Sequence, residues 1–364
     1  MKNTFGTSVC VTLFGESHGP AVGIVADGLA PGMTVDEEKI RRQLTRRRPT
    51  GDTETARREA DEFQILSGVY EGKTTGTPLC IVIPNTEQQS GDYKRGLARP
   101  SHADYTGRVK YHGFEDGRGG GHFSGRVTAA LVALGGILLP ALEKKGITIG
   151  THILKCAEVK DTFFRDPDKE IPMLKDREFP VLDIEKGREM TEKIRVAAEA
   201  GDSVGGVTQT AVCGLDAGLG EPWFDSVEGL LSHALFSLGG IKGVEFGLGF
   251  SFPYYRGSQC NDPLMMMDGK IVTETNNNGG INGGITNGMP VLFQCAVKPT
   301  PSISMPQYSV DMDAMEDRKI QIVGRHDPAI VRRICPVIDS VTAMALCDLL
   351  VQRFGTDFLA GGKR

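Results

Sequence analysis

Residues 124–145 read SGRVTAALVALGGILLPALEKK, and this stretch decides the fold. Leu131, Val132, Leu134, Ile137, Leu138, Leu139 and Leu142 put apolar side chains on nearly all sides of a helix. A helix without a polar face has to be covered all round. The pattern therefore predicts a fully buried, central helix, kinked near Pro140.

The flanking sequence says what covers it. Strand-like runs occupy 8–14 and 21–26, and Thr34-Val35-Asp36-Glu37 offers a capping box for a helix that Pro49 ends. A buried strand follows at 78–83, and then a polar, turn-rich stretch over 85–121 reads as a long loop carrying several candidate site residues. In the second half, 147–159 alternates like a strand, 184–200 is helical with Gly201 as its stop, and 204–213 is a strand. A helix near 227–238, strands near 244–250 and 290–297, and a last helix over 336–354 complete the chain. Strands flank helices in both halves without the regular alternation of a doubly wound sheet. The expected fold class is α+β: a layered β-α-β sandwich with buried central helices and two pseudo-equivalent halves, built as a single domain over residues 1–364.

Composition narrows the function. The net charge is −5, from 41 basic against 46 acidic residues, so the surface as a whole attracts neither nucleic acid nor an anionic membrane. Any cationic site is local. Eight cysteines are scattered without a Cys-x-x-Cys pair, which argues against a metal or redox motif and for small buried thiols. The N-terminus lacks a signal pattern, and no apolar run reads as long enough to span a bilayer, so a reducing cytoplasm is the expected home. The 47 glycines exceed the average share of roughly 7% and cluster at 117–125 and 279–284, which implies close backbone approach to a ligand.

Six segments carry candidate chemistry. Phe14-Gly15-Glu16-Ser17-His18-Gly19 ends an apolar run on a histidine between glycines, either a proton donor at a strand end or a satisfied polar residue. Arg41, Arg42, Arg46, Arg47, Arg48, Arg57 and Arg58 form an all-arginine cluster suited to gripping carboxylates and phosphates. The alternative is a solvated helix face with salt bridges to Glu54, Glu59 and Asp61. Arg99 to Tyr105 offers His102 with Asp104 two residues on, a carboxylate placed to orient the ring. Arg118-Gly119-Gly120-Gly121-His122-Phe123-Ser124-Gly125-Arg126 is a glycine loop opening into the buried helix, a plausible phosphate cradle but neither a Walker A loop nor a Rossmann fingerprint. The run from Asn276 to Gly284 precedes a strand ending in Lys298-Pro299-Thr300-Pro301-Ser302, read as the polar edge of a heterocycle site or as a tight turn. Gly324-Arg325-His326-Asp327-Pro328 sets an anion binder, an imidazole and a carboxylate side by side.

Together these motifs resemble the chorismate synthase family over nearly the whole chain. Gly15-Glu16-Ser17-His18-Gly19 with Asp27-Gly28-Leu29-Ala30-Pro31-Gly32 is similar to the family's first signature. Arg46-Arg47-Arg48-Pro49, Ile65-Leu66-Ser67-Gly68-Val69, Thr74-Thr75-Gly76-Thr77, His102-Ala103-Asp104-Tyr105, Ala217-Gly218-Leu219-Gly220-Glu221-Pro222, Lys242-Gly243-Val244-Glu245 and Arg325-His326-Asp327-Pro328 follow in order. The resemblance implies a lyase that removes phosphate and a ring hydrogen from 5-enolpyruvylshikimate 3-phosphate by 1,4-anti elimination, giving chorismate in the shikimate pathway. It also implies reduced FMN without net redox change, with NADPH as a conceivable flavin reductant, and a homotetramer.

By the same resemblance, His18 protonates the departing phosphate, His102 protonates the reduced flavin, Asp327 assists proton removal through the flavin N5, and Ser17 relays or orients. Arg47, Arg48, Arg126 and Arg325 hold substrate anions. Flavin contacts fall to His122, Phe123, Ser124, Gly283, Lys298, Pro299, Thr300, Pro301, Ser302 and Arg325. The chain departs from the family in three places. His122-Phe123-Ser124-Gly125-Arg126 stands where many relatives have Arg-Ser-Ser-Ala-Arg, Thr53 lies about where a further arginine is usual, and Asp339 replaces a glutamate. Competing readings are a non-catalytic anion- or RNA-binding protein built on the arginine cluster and a true flavin oxidoreductase.

Overall fold

Two five-stranded antiparallel sheets enclose a layer of apolar helices in the computed structural model, which describes residues 2–50, 59–86, 96–322 and 327–361. The first sheet comprises β1 (Thr4–Phe5), β2 (Cys10–Gly15), β3 (Ala21–Asp27), β4 (Gln64–Ser67) and β5 (Leu79–Pro84), in the order β1-β2-β3-β5-β4. Ile24 pairs with Leu13 on one side and Ile81 on the other. Period-two alternation buries Val22, Ile24 and Ala26 with Leu79, Ile81 and Ile83. The second sheet comprises β6 (Thr148–Cys156), β7 (Val159–Lys160), β8 (Gly206–Cys213), β9 (Ile241–Phe246) and β10 (Val291–Val297), in the order β9-β10-β8-β6-β7.

The helices are α1 (Glu37–Arg47), α2 (Asp104–Tyr111), α3 (Thr128–Glu143), α4 (Pro167–Leu174), α5 (Ile184–Glu199), α6 (Val227–Phe236), the one-turn α7 (Gly257–Cys260) and α8 (Val331–Phe354). Helix α3 packs on β3 and β5 with one side and on α8 with another, and α8 packs in turn on β6 and β8. The layering is thus sheet, helices, sheet, the expected α+β sandwich. Two adjacent glycines make it tight: a Cβ on Gly135 would stand 2.1 Å from Ser340 Oγ, and one on Gly136 would stand 2.6 Å from the Ile40 Cα. Any larger residue would push α3 off both α8 and α1.

Several boundaries differ from expectation. The cap of α1 is Asp36, whose side chain accepts from the Glu38 N–H; Thr34 instead receives Lys73 and Lys144. Helix α3 starts at Thr128, after a 3-10 turn over Gly125–Val127, and runs through Pro140. Helix α8 begins at Val331, with Pro336 one turn inside, where its ring forgoes a single backbone bond. The stretch expected as one long loop contains α2 and a 3-10 segment, Arg118–Phe123. Helix α2 forms without an apolar stripe because Gly107 seats it on the Phe123 ring, where a Cβ would lie 2.9 Å away.

One expectation is overturned. The helical segments Gly125–Glu143 and Val331–Phe354 are both long and apolar enough to cross a membrane. They are 83% and 100% buried inside the protein, which is how the core helices of a sandwich satisfy the same composition. All eight cysteines are unbridged, and burial pushes the thiols of Cys156, Cys213 and Cys295 up to about 12. They pack as small apolar groups.

Candidate active site

A cleft of about 1400 Å³ opens where the end of α1, the start of α3, the start of α8 and the irregular segment following β10 converge. Its lining includes His18, Arg47, Arg48, His102, Phe123, Ser124, Arg126, Asp327 and Lys298 to Ser302, so the structure brings most of the expected site residues together. They come from segments far apart in the chain, His18 near one end and Asp327 near the other.

His18 follows β2 in a turn tied down by Asn85, whose Nδ2 donates to the carbonyls of Glu16 (2.9 Å) and Gly19 (2.8 Å). Both Ser17 and His18 are buried. The Ser17 N–H donates to the Gly121 carbonyl at 3.0 Å, and the bare backbone of Gly119 lies against the Cδ2–Nε2 edge of the His18 imidazole. The glycine loop, with positive φ at Gly119, Gly120 and Gly121, thus closes that side of the histidine. Asp116, bound by Arg118 through N–H, Nε and Nη2, adds a carboxylate there; its pKa is held down chiefly by Arg118, with His18 contributing.

The helical period divides the arginine cluster. Arg41 and Arg42 lie on a solvated face, as the alternative expected, but their partners are Glu37 and Asp176 and not the acidic residues at 54, 59 and 61. Arg46 turns into the core and meets Asp339 at 3.0 Å. Burial raises the Asp339 carboxyl above its ordinary range, against the opposing pull of Arg46. Among the described residues of the cluster only Arg47 and Arg48 line the cleft; Thr53, Glu54, Arg57, Arg58, Arg325 and His326 lie outside the described residues.

Arg47 donates from Nε to Thr128 Oγ1 (2.9 Å) and from Nη2 to the Gly125 carbonyl (2.7 Å), with Asp61 3.5 Å from Nη1. Burial lowers its pKa to about 9, Asp61 pushing back and Arg333 and Arg126 adding to the fall. Arg126 is held by Glu59 (2.7 Å), by Asp61 and by Asn85 Oδ1 (2.9 Å). Arg48 Nε is buried without a hydrogen-bond partner, 3.9 Å from Asp61. Three guanidiniums against two carboxylates leave the cleft floor net positive, with an unsatisfied donor facing it. Glu59 and Asp61, expected only as salt-bridge partners, are part of the site. Asn85 was missed altogether, since nothing in its local sequence announces two turn carbonyls and an arginine as partners.

On the opposite wall, His102 Nε2 shares a 2.6 Å hydrogen bond with Ser302 Oγ. Asp104, expected to orient that ring, spends its carboxylate on the backbone N–H, Nε and Nη2 of Arg99. Thr300 Oγ1 is buried with no hydrogen-bond partner, Phe123 is half exposed, and Lys298, Lys242 and Lys319 line the same wall. A planar ring system with a phosphate tail matches this set: an aromatic face, an orphaned hydroxyl and three cations. Burial and the nearby Lys242 together lower the Lys298 pKa.

Two expected flavin contacts sit elsewhere. His122 Nδ1 bonds the Gly15 carbonyl at 2.8 Å and stands behind the cleft lining. Gly283 turns the hairpin of Ile281–Asn282 and Ile285–Thr286, beside the start of α6, whereas the cleft is lined by residues 236–242 at the other end of that helix. The asparagine run is spent on structure: the Asn277 and Asn278 N–H groups go to Asp262, and Asn276 Nδ2 goes to the Pro290 carbonyl. Among the described residues no cluster of His, Cys, Asp or Glu could hold a metal ion.

Known proteins share both sequence and fold. The family described as chorismate synthase matches residues 9–351. The chain is 43% identical over 351 residues to the chorismate synthase of Thermococcus kodakarensis, covering 96% of this chain and 97% of the relative. It is 44% identical over 353 residues to that of Pyrococcus abyssi, covering 96% and 97%. A crystal structure of chorismate synthase superimposes with a TM-score of 0.77 at 29% identity, covering 97% of this chain and 94% of the other.

Proposed function

The chain belongs to the chorismate synthase family, and on that premise we propose how its cleft performs the reaction. The enzyme is a lyase of the shikimate pathway that yields chorismate, and its family uses reduced flavin. We take the substrate to be 5-enolpyruvylshikimate 3-phosphate and the flavin to be FMN. The observation that carries this reading is the net positive cluster of Arg47, Arg48 and Arg126 lining the same cleft as His18. A substrate with two carboxylates and a phosphate needs bidentate cationic partners in a site shielded from bulk water.

In this reading Arg47 and Arg48 grip substrate anions, with Arg325 joining them. Arg126 holds Glu59, Asp61 and Asn85 in place and adds its charge. His18, locked between Asn85's turn and Gly119, gives a proton to the leaving phosphate oxygen, with Ser17 fixing the turn through Gly121. The 1,4-anti elimination then loses the ring hydrogen, and Asp327 is the carboxylate that takes up the released proton. Reduced flavin, when bound, supplies transient electron density to the substrate without net redox change. Phe123, Ser124 and residues 298–302 would hold it. His102, fixed by Ser302, keeps a proton at the flavin edge, and NADPH would serve as an external or intrinsic reductant.

Two broader features support the rest of the reading. Trp223, Phe224, Phe250 and Tyr254 are each at least 80% exposed, and the hairpin of Leu264–Met267 and Lys270–Thr273 shows apolar residues outward. Faces of this kind favour a homotetramer whose copies cover them, with Gly283 serving a neighbour's site. Eight unbridged cysteines suit a reducing cytoplasm.

The test is anaerobic turnover with prereduced FMN. Phosphate release from 5-enolpyruvylshikimate 3-phosphate without net flavin oxidation is expected, and no release by folded, flavin-loaded enzyme would overturn the reading. Aerobic assays with FMN and NADPH then separate intrinsic from external reduction.

A further inference from the structure

Helix α8 opens against the usual rule for helix ends. Its first turn carries Arg332 and Arg333 and no acidic residue, and no side chain caps it, although positive charge at a helix N-terminus is unfavourable. A local rule broken in this way marks a position where another demand prevails. The demand is visible in the contacts. Arg333 donates from Nε to the Arg47 carbonyl at 3.0 Å and from Nη1 to Asp327 Oδ2. Arg332 donates from Nη1 to the Arg46 carbonyl at 3.2 Å and from Nη2 to the Arg48 carbonyl. Two consecutive guanidiniums thus hold all three carbonyls of the triple-arginine motif, where α1 ends and its last carbonyls lack helical partners.

We propose that Arg333 is a positioning residue that fixes Asp327 and the anion-gripping end of α1 to one guanidinium. The fork geometry is what permits it: one nitrogen serves the backbone that presents Arg47, and another serves the carboxylate. A shift of Asp327 is then transmitted to Arg47, so the base and the anion clamp keep a constant separation. Lysine, with a single ammonium on a flexible stem, would keep the charge but not both directional contacts. Among the described residues, Arg47 feels the charge of Arg333 together with those of Asp61, Glu59 and Arg126, and Arg332 is committed to the carbonyls on either side.

The inference rests on the role given to Asp327 above, and the test separates the two. Wild type, Arg333→Gln, Arg333→Lys and Asp327→Asn are compared with prereduced FMN across pH, after circular dichroism establishes that each is folded. In Arg333→Gln, kcat should fall by roughly 10- to 100-fold and its acid limb should move to higher pH, because a carboxylate that loses a bonded cation protonates more readily. Arg333→Lys should restore the limb while KM stays raised. A merely structural arginine would lower the melting temperature and leave the limb in place, and that result overturns the inference. Wild-type turnover in Asp327→Asn would instead show that the base itself was misassigned, and would overturn both.

Discussion

Gly119 lies so close to the Cδ2–Nε2 edge of His18 that a Cβ atom on it would stand 2.4 Å from Cδ2 and 2.5 Å from Nε2 of the imidazole. With φ at +60°, Gly119 also occupies a region that side chains rarely adopt. Gly119→Ala must therefore move either the loop or the histidine. His18→Ala should cut kcat by roughly 10² to 10⁴-fold, the scale of lost acid catalysis. Gly119→Ala should lose a large share of the same activity with every catalytic side chain intact. Steady-state phosphate release with prereduced FMN measures both, and near wild-type turnover in Gly119→Ala would show that His18 needs no fixed orientation.

Asp61 is the carboxylate on which the cleft arginines converge, with Arg47 at 3.5 Å, Arg48 at 3.9 Å and Arg126 bonded directly. Its φ of +53° is unusual for a residue with a side chain, so the surroundings hold it there. Asp61→Asn leaves buried guanidiniums short of a counter-charge, and breaking such a pair costs about 3–5 kcal/mol. The melting temperature should fall accordingly. Inorganic phosphate, an anion that can take the vacated place, should stabilise the variant more than it stabilises wild type. Equal phosphate shifts in the two proteins would refute this account of the cleft floor.

The sandwich and much of the site were legible for a shared physical reason: both leave a local pattern. An all-apolar run such as 131–142 has to be covered on all sides, and a histidine between glycines or a triple arginine stands out in a short window. Glu59, Asp61, Asn85 and Arg333 leave no such mark. Each matters through a partner in a distant segment, as when Asn85 joins the His18 turn to Arg126. The arginine cluster was misjudged in extent for another reason. Positions 41 and 42 lie on a different face of α1 from 47, and the helical period sends them to solvent. Helix starts were misplaced where proline was taken as a boundary, because Pro336 is tolerated one turn inside α8.

The second sheet carries a titration with a definite sign. Asp161 and His152 are buried together, with Nδ1 3.4 Å from Oδ2, and Asp161 accepts the N–H groups of Thr162 (2.7 Å), Leu182 (2.6 Å) and Asp183 (3.0 Å). Burial alone would raise the Asp161 carboxyl, but His152 and those amides outweigh it and hold the pKa below the ordinary carboxylate range. A carboxylate depressed in the folded state contributes stability that is complete above the unfolded value of about 3.9. That stability is lost as pH falls through the folded value. Asp161→Asn keeps the shape but removes the titration and part of the acceptor capacity. At pH 7 it should be less stable than wild type by about 1–3 kcal/mol, and below about pH 4 the gap should close because wild type loses the Asp161 contribution on top of the acid loss that both proteins share. Urea unfolding at a series of pH values measures this directly. Parallel pH profiles for the two proteins would mean that Asp161 does not link the end of β7 to the start of α5 through its charge.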